Sequence, residues 1–171
     1  MPDPGLNACV YFNPETVTWA FGAHAAAVEV DADTCEVRIL KYAAVHDCGN
    51  PINPMVVDGQ LHGGIAQGIG AALMEELVYD EAGQLQTGSF MDYAMPKAAD
   101  VPSILTAQLA YPSVINELGI KGVGESGAIA PGAALANAIE DALAGYGIVI
   151  RELPMTPARL FALLRAVGAF K

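Results

Sequence analysis

Residues 121–127 read Lys-Gly-Val-Gly-Glu-Ser-Gly, so one carboxylate, that of Glu125, lies inside a glycine-rich turn. We expect a helix to begin after this turn, between Ser126 and Pro131, where the first backbone N–H groups of a helix lack partners. Those donors and the helix dipole would keep a neighbouring carboxylate ionised and able to act as a general base. The alternative interpretation is that Glu125 only caps the helix, because acidic residues are common at helix starts.

The glycines of this turn also match a nucleotide-binding pattern. Gly122, Gly124 and Gly127 have the spacing Gly-x-Gly-x-x-Gly of the dinucleotide fingerprint. That fingerprint follows a strongly apolar strand, whereas residues 116–121 are polar and interrupted by a glycine. The lysine precedes the glycines instead of standing before a Ser or Thr, which excludes a phosphate-binding P-loop. A dinucleotide-binding module is therefore the less favoured alternative.

A second glycine-rich segment falls on a predicted helix that runs from Pro54 to about Leu77, with Asn53 as its N-cap. On a helical wheel, one side is apolar and is expected to face the core, with Leu61, Ile65, Ile69, Ala72, Leu73 and Leu77. The other side is nearly smooth, with Gln60, Gly63, Gly64, Gln67, Gly70 and Ala71. Each helical glycine costs about 1 kcal/mol relative to alanine. Two reasons for this cost stay open: close packing of another backbone, or a flat ligand that binds the Gln67 amide.

The elements that position these segments indicate an α+β fold: β-hairpins and short mixed strands packed with two main helices and a C-terminal helix. Residues 1–20 form an irregular lead-in to a domain at 21–171. Strands at 25–31 and 36–46 form a hairpin, with Cys35 at a position that favours positive φ. Further along we expect a hairpin or turn at 78–86, a loop at 88–103, strands at 104–111 and 148–153, and helices at 128–144 and 157–167.

The length and composition are those of one compact domain with its own core, or of two small packed lobes that share one core. Of the 171 residues, 53% are hydrophobic and 16% are charged, which excludes a disordered chain. The net charge of −11 opposes binding to nucleic acid or to an anionic membrane surface through Coulomb repulsion. The partners expected are therefore neither nucleic acid nor membrane.

Targeting signals are also not expected. The longest apolar stretch, 128–150, is interrupted by acidic residues and glycines, and the N-terminal Met-Pro-Asp-Pro-Gly resembles no signal peptide. Three irregularly spaced cysteines, Cys9, Cys35 and Cys48, form no disulfide framework and favour a reducing compartment. The location expected is cytoplasmic.

Four motifs in a fixed order carry a family resemblance. They are 46–54 (His-Asp-Cys-Gly-Asn-Pro-Ile-Asn-Pro), 59–70 (Gly-Gln-Leu-His-Gly-Gly-Ile-Ala-Gln-Gly-Ile-Gly), Asp92-Tyr93 with Pro96, and 121–125 (Lys-Gly-Val-Gly-Glu). Together they resemble the C-terminal part of the large subunit of molybdenum hydroxylases, the family of xanthine dehydrogenase, aldehyde oxidase and aerobic carbon monoxide dehydrogenase. The resemblance extends from about Phe21 to the last predicted helix.

The resemblance implies an oxidoreductase component that hydroxylates a carbon centre of an aldehyde, an N-heterocycle or CO with oxygen from water. Glu125 matches the family's base, which takes a proton from a molybdenum-bound hydroxyl. Gln67, Gly68, Gly124 and Lys121 match the cofactor-binding segments, and the cofactor implied is molybdopterin in its cytosine dinucleotide form. Iron–sulfur and FAD sites are expected on partner subunits.

The upstream half of the family's large subunit is a further implied partner, together with a small-molecule substrate. Because that half supplies other parts of the site, this chain alone is expected to lack turnover. The alternative function is a non-catalytic assembly or scaffold subunit with the same fold. No metal-ligand set is expected, and His24, His46, Cys48 and His62 are interpreted as structural.

Overall fold

The computed structural model describes residues 5–169, which form an α+β fold as predicted. Its elements are β1 (Phe21–Val30), β2 (Val37–Asp47), α1 (Pro54–Leu73), β3 (Ile104–Leu109), α2 (Pro131–Ala142) and α3 (Pro157–Ala166), with a 3-10 turn at Ala144–Tyr146. The strands form one mixed sheet in the order β1-β2-β3. β2 is antiparallel to β1 and parallel to β3. Residues 5–20 belong to no helix or strand and are mostly exposed.

The β1–β2 hairpin is confirmed and starts earlier than predicted. Its loop is closed by the Asp31 carboxylate, which accepts hydrogen bonds from the backbone N–H groups of Asp33 and Thr34 at 2.9 and 3.0 Å. Cys35 has φ = 60°, as its position in the loop predicted. The hairpin brings β2 to the centre of the sheet, so its residues 42–48 are the most deeply buried part of the strand and its end.

Helix α1 begins as predicted, since the Asn53 side chain accepts from the N–H groups of Met55 and Val56. Its apolar side is buried in the core at Leu61, Ile65, Ile69, Ala72 and Leu73. The predicted end at Leu77 is wrong. The N–H groups of Met74 and Glu75 both bond to the Gly70 carbonyl, which closes the helix after Leu73 and leaves Leu77 58% exposed.

The core lies between the sheet and the three helices. Helix α2 packs on β1 and on α1. The fully buried side chains include Tyr42 of β2, Ile65 of α1, Leu135 of α2 and Leu160 of α3. Within residues 5–169, no helix has both the length and the apolar character needed to cross a lipid bilayer.

Three other predicted elements differ in extent or identity. The hairpin at 78–86 is reduced to a bridge between Tyr79 and Leu85, and the residues at 88–103 form a loop as predicted. Helix α2 is shorter than the predicted 128–144. The strand predicted at 148–153 is wrong: it pairs with no strand among the described residues, and the Ile150 N–H donates to the Glu140 carboxylate instead.

Candidate functional site

Glu125 lies in a chain of turns that precedes α2, which begins at the far end of the predicted range, so the helix-start N–H groups predicted to support the carboxylate are six residues further along the chain. Helix α2 begins at Pro131 with Ala130 as an N-cap that makes no side-chain hydrogen bond. The preceding turns are closed by their own backbone bonds, from Ser126 N–H to the Val123 carbonyl at 3.2 Å and from Ala128 N–H to the Glu125 carbonyl at 2.9 Å. The Glu125 side chain is exposed. The free amides of α2 therefore do not hold the carboxylate.

The two glycine-rich segments meet, with the last part of the turn packed against the side of α1. A Cβ on Gly64 would lie 2.8 Å from the Gly127 Cα, and a Cβ on Gly127 would lie 2.3 Å from the Leu61 carbonyl oxygen. Gly68 is buried, and its Cβ would lie 2.5 Å from the Pro131 ring. These three positions require glycine because the chain packs closely on itself there.

The rest of the glycine-rich surface is open. A Cβ on Gly59, Gly63 or Gly122 would meet no atom within 4 Å. The side chains of Gln60 and Gln67, about two helical turns apart, are both exposed there. We call this surface the open face, defined as Gly59, Gln60, Gly63 and Gln67 of α1 together with Gly122, Gly124 and Glu125 of the turn.

Within the open face, the amide that lies next to the Glu125 turn is that of Gln60. Its Nε2 is 3.8 Å from the position of a Cβ on Gly124. The sequence placed Gln60 on the smooth side of α1 but did not single it out, because only the packing of α1 on the turn brings it to Gly124. The cofactor role predicted for Gln67, Gly68 and Gly124, and the catalytic role predicted for Glu125, stay predictions.

Lys121 occupies a different environment from the rest of its motif. Its Nζ lies 2.6 Å from the Asp47 Oδ2, with the Lys121 side chain 11% exposed and that of Asp47 fully buried. The same ammonium lies 5.3 Å from the centroid of the Phe21 ring. The group predicted to bind a cofactor therefore forms an ion pair inside the fold, and a direct cofactor role for Lys121 stays a prediction.

Asp47 is the residue of this region that sequence reasoning missed. Its Oδ1 accepts from the N–H groups of Tyr111 at 2.8 Å and Gly49 at 3.2 Å. Burial alone would raise the pKa of the Asp47 carboxyl, but the hydrogen bonds from Lys121, Tyr111 and Gly49 outweigh burial and hold that pKa below its usual value. A signal was present: an acidic residue at the buried end of a strand needs a partner.

Two histidines lie on the same side of the sheet. The His24 Nδ1 is 2.9 Å from the Tyr42 hydroxyl. His46 is buried, and its Nε2 has no hydrogen-bond partner within residues 5–169. It borders a cavity of about 230 Å³ that Asp58 and Gln108 also line. Burial lowers the pKa of both imidazoles, which favours their neutral forms.

Potential metal ligands do not cluster in the part of the chain that the structure describes: no three His, Cys, Asp or Glu side chains come together there. His62 lies 3.7 Å from the Asp58 carboxylate on α1, and Cys48 accepts a hydrogen bond from Gln108 at 3.3 Å. The candidate site is therefore a smooth, amide-bearing surface beside a carboxylate.

Comparison with known proteins identifies the family of this chain. Residues 3–102 match the family model of the molybdopterin cofactor-binding domain. The nicotine 6-hydroxylase large subunit of Paenarthrobacter nicotinovorans is 43% identical over 158 residues, which cover 92% of this chain and 19% of that protein.

Solved structures agree. The quinoline 2-oxidoreductase of Pseudomonas putida 86 is 49% identical with a TM-score of 0.83, over 85% of this chain and 19% of that one. The CO dehydrogenase of Oligotropha carboxidovorans is 35% identical with a TM-score of 0.92, over 98% and 21%. The chain thus spans about a fifth of the length of these relatives. It belongs to the molybdenum hydroxylase family of xanthine dehydrogenase and CO dehydrogenase, as a C-terminal part of the molybdopterin-binding large subunit.

Proposed function

We propose that this chain supplies the catalytic base, Glu125, and part of the molybdopterin site to an oxidoreductase that hydroxylates a carbon centre with oxygen from water. The observation that carries the proposal is the open face: the turn that bears the exposed Glu125 lies next to the Gln60 amide of α1, and nothing occupies the Cβ positions of Gly59 and Gly63 on that helix. The family match to a molybdopterin-binding domain supports the cofactor.

The residues of the open face fit a flat, hydrogen-bonding group. A planar ring needs a surface without protruding side chains, and Gly59, Gly63 and Gly122 leave free the space that a Cβ would fill. A pterin also needs partners at its edge, and each Gln amide offers both a donor and an acceptor. Gln67 and Gln60 are the exposed amides of this face.

The division of chemistry follows from these residues. The bound cofactor supplies the electron acceptor and the place where water is activated. Glu125 accepts the proton that is released as the water oxygen joins the substrate carbon, because its exposed carboxylate is free of hydrogen bonds to the described residues. Gln67 and the backbone at Gly124 would hold the cofactor so that Glu125 reaches the reacting atoms, and Gly68 would contribute through its close packing on Pro131.

The substrate class proposed is a small aldehyde, an N-heterocycle or CO. Two of the relatives are named for N-heterocyclic compounds, nicotine and quinoline, and another for carbon monoxide. The dinucleotide form proposed for the cofactor is that with cytosine.

The partners proposed are the upstream half of the large subunit and separate iron–sulfur and flavin subunits in a cytoplasmic complex. Many large apolar side chains of this chain are exposed: Tyr11 is 93% exposed, Phe90 87% and Val114 98%. Exposed apolar side chains in this number are typical of a protein interface. One relative is itself described as a subunit of a complex, the gamma subunit of 6-hydroxypseudooxynicotine dehydrogenase.

The decisive experiment is Glu125→Gln in the assembled enzyme. Loss of the base should lower kcat about 100- to 10,000-fold while the molybdenum content stays that of the unchanged enzyme. Glu81→Gln is the matched control, since Glu81 is an exposed carboxylate in the separate turn at 78–86. An unchanged kcat for Glu125→Gln would refute the base assignment.

The scaffold function makes a different prediction for metal content. Molybdenum should purify with this chain when the upstream half is co-expressed. If no molybdenum purifies with the chain, either by itself or co-expressed with the upstream half, the chain is a structural subunit.

A further inference from the structure

We propose that Asp47 and Lys121 form a positioning pair that fixes the start of the Glu125 turn, and that Lys121 serves the site in this way instead of by contacting the cofactor. The inference deepens the proposed function, on which it rests, by naming what holds the base in place. Neither residue is a catalytic residue in this assignment.

The pair is buried, and both carboxylate oxygens of Asp47 accept hydrogen bonds. The Lys121 ammonium lies 2.6 Å from one carboxylate oxygen of Asp47, while the other oxygen accepts from the N–H groups of Tyr111 and Gly49. Phe21 covers the ammonium from one side. A lysine that is 11% exposed and already paired has little freedom to reach a ligand on the surface.

Backbone contacts on both sides of the pair hold the same two segments together. Lys121 N–H donates to the Cys48 carbonyl at 2.9 Å, and Asn50 N–H donates to the Gly119 carbonyl at 3.0 Å. Gly49 has φ = 68°, and a Cβ there would lie 2.1 Å from the Gly119 oxygen. The end of β2 and residues 119–121 are therefore locked together, and we call residues 47–50 with 119–121 the junction.

The segment that follows the junction makes few described contacts with the rest of the chain. A Cβ on Gly122 would meet no atom within 4 Å, and Gly124 and Glu125 are exposed. The next tight contact is Gly127 on α1. The Glu125 turn is thus held to the rest of the fold at two ends, by Lys121 and by Gly127, and between them the described backbone hydrogen bonds lie within the turn itself. Release of the Lys121 end would let the carboxylate move relative to the open face.

The experiment compares Lys121→Met and Asp47→Asn in the assembled enzyme. Each removes the ion pair, so each should lower kcat about 10- to 100-fold, the effect of a base misplaced by about 1 Å. Molybdenum content should stay unchanged in both, and hydrogen exchange of the amides at 119–126 should become faster. Lys41→Met is the control, because Lys41 is an exposed lysine of β2.

A second comparison separates positioning from general loss of structure. In a Glu125→Gln background, Lys121→Met should lower kcat no further, because the pair acts through Glu125. A further drop of the same size as in the unchanged enzyme would overturn the proposal. So would a loss of molybdenum in Lys121→Met that Asp47→Asn does not share, since that result identifies Lys121 as a cofactor ligand.

Each remaining outcome is also decisive. If a single variant fails to fold because it leaves a buried charge unpaired, the double variant Asp47→Asn with Lys121→Met removes both charges and should fold. It should show the same low kcat and fast exchange, and normal values for both would refute the pair's role. If Glu125→Gln alone leaves kcat unchanged, the base assignment fails, while the exchange data still judge the anchoring of the turn.

Discussion

The junction and the open face adjoin between Lys121 and Gly122, yet their polar groups are in opposite environments. In the junction the carboxylate of Asp47 is fully buried and meets an ammonium and two backbone N–H groups. In the open face the carboxylate of Glu125 and the amide of Gln67 are exposed. Groups that are satisfied within the fold are not available to a ligand, whereas groups left free at a smooth surface are.

The glycines divide in the same way. Gly64, Gly68 and Gly127 are required because backbone or ring atoms occupy the space of a Cβ. Gly63 and Gly122 have no such neighbour within the described chain. The lesson is that a glycine-rich pattern combines two requirements, packing and access, which only the contacts can separate.

The largest effect on stability that tests this division is expected from Gly127→Ala. The new methyl group would meet the Leu61 carbonyl oxygen at 2.3 Å, and helix backbone cannot shift cheaply. The free energy of unfolding should fall by about 1–3 kcal/mol, measured by denaturant titration. Gly122→Ala is the matched control, with an expected change near zero. Equal losses in the two variants would break the distinction between packed and open glycines.

A smaller effect, on the cofactor instead of the fold, is expected from Gly63→Leu. Leucine should stabilise α1 by about 1 kcal/mol relative to glycine, because nothing lies within 4 Å of its Cβ position. Its side chain would cover the open face, so the assembled enzyme should contain less molybdenum. Ala158→Leu on the exposed side of α3 is the control. Full molybdenum content in Gly63→Leu would show that no cofactor lies on this surface.

The smallest effect expected is the pH dependence of stability. Burial lowers the pKa of His24 and of His46 in the folded state, so the unfolded chain takes up protons first as the pH falls. The stability they contribute is present above about pH 6.5 and is lost below it, by at most about 1.4 kcal/mol per pH unit for each proton.

The measurement is the free energy of unfolding at pH 7 and pH 5, for the unchanged chain and for His46→Leu. The variant should show a weaker pH dependence. Asp47 affects a separate pH range. Because the pKa of its carboxyl is lowered in the folded state, the stability that it contributes is present above about pH 4 and is lost only in more acidic solution. An equal change in the free energy of unfolding between pH 7 and pH 5 in both proteins would exclude His46 as a source of the pH dependence.

Local patterns were sufficient for most of the fold. The hairpin, the Asn53 cap and the buried side of α1 follow from side-chain periodicity and cap chemistry, which act within a few residues. The strand predicted at 148–153 failed because an apolar run specifies burial and not a pairing partner. Ile148 is buried as its type suggests, but the Ile150 N–H bonds to a side chain of α2.

For the candidate site too, the sequence determined one part and the tertiary structure decided the other. By itself the sequence determined the family, because motif spacing is a property of the chain, and it predicts Glu125 and Gln67 as the residues that carry the chemistry. Only the tertiary structure decided that Lys121 pairs with Asp47 and that Gly68 packs on Pro131. Such contacts join residues that are far apart in the chain, and they depend on how the sheet, the helix and the turn come together.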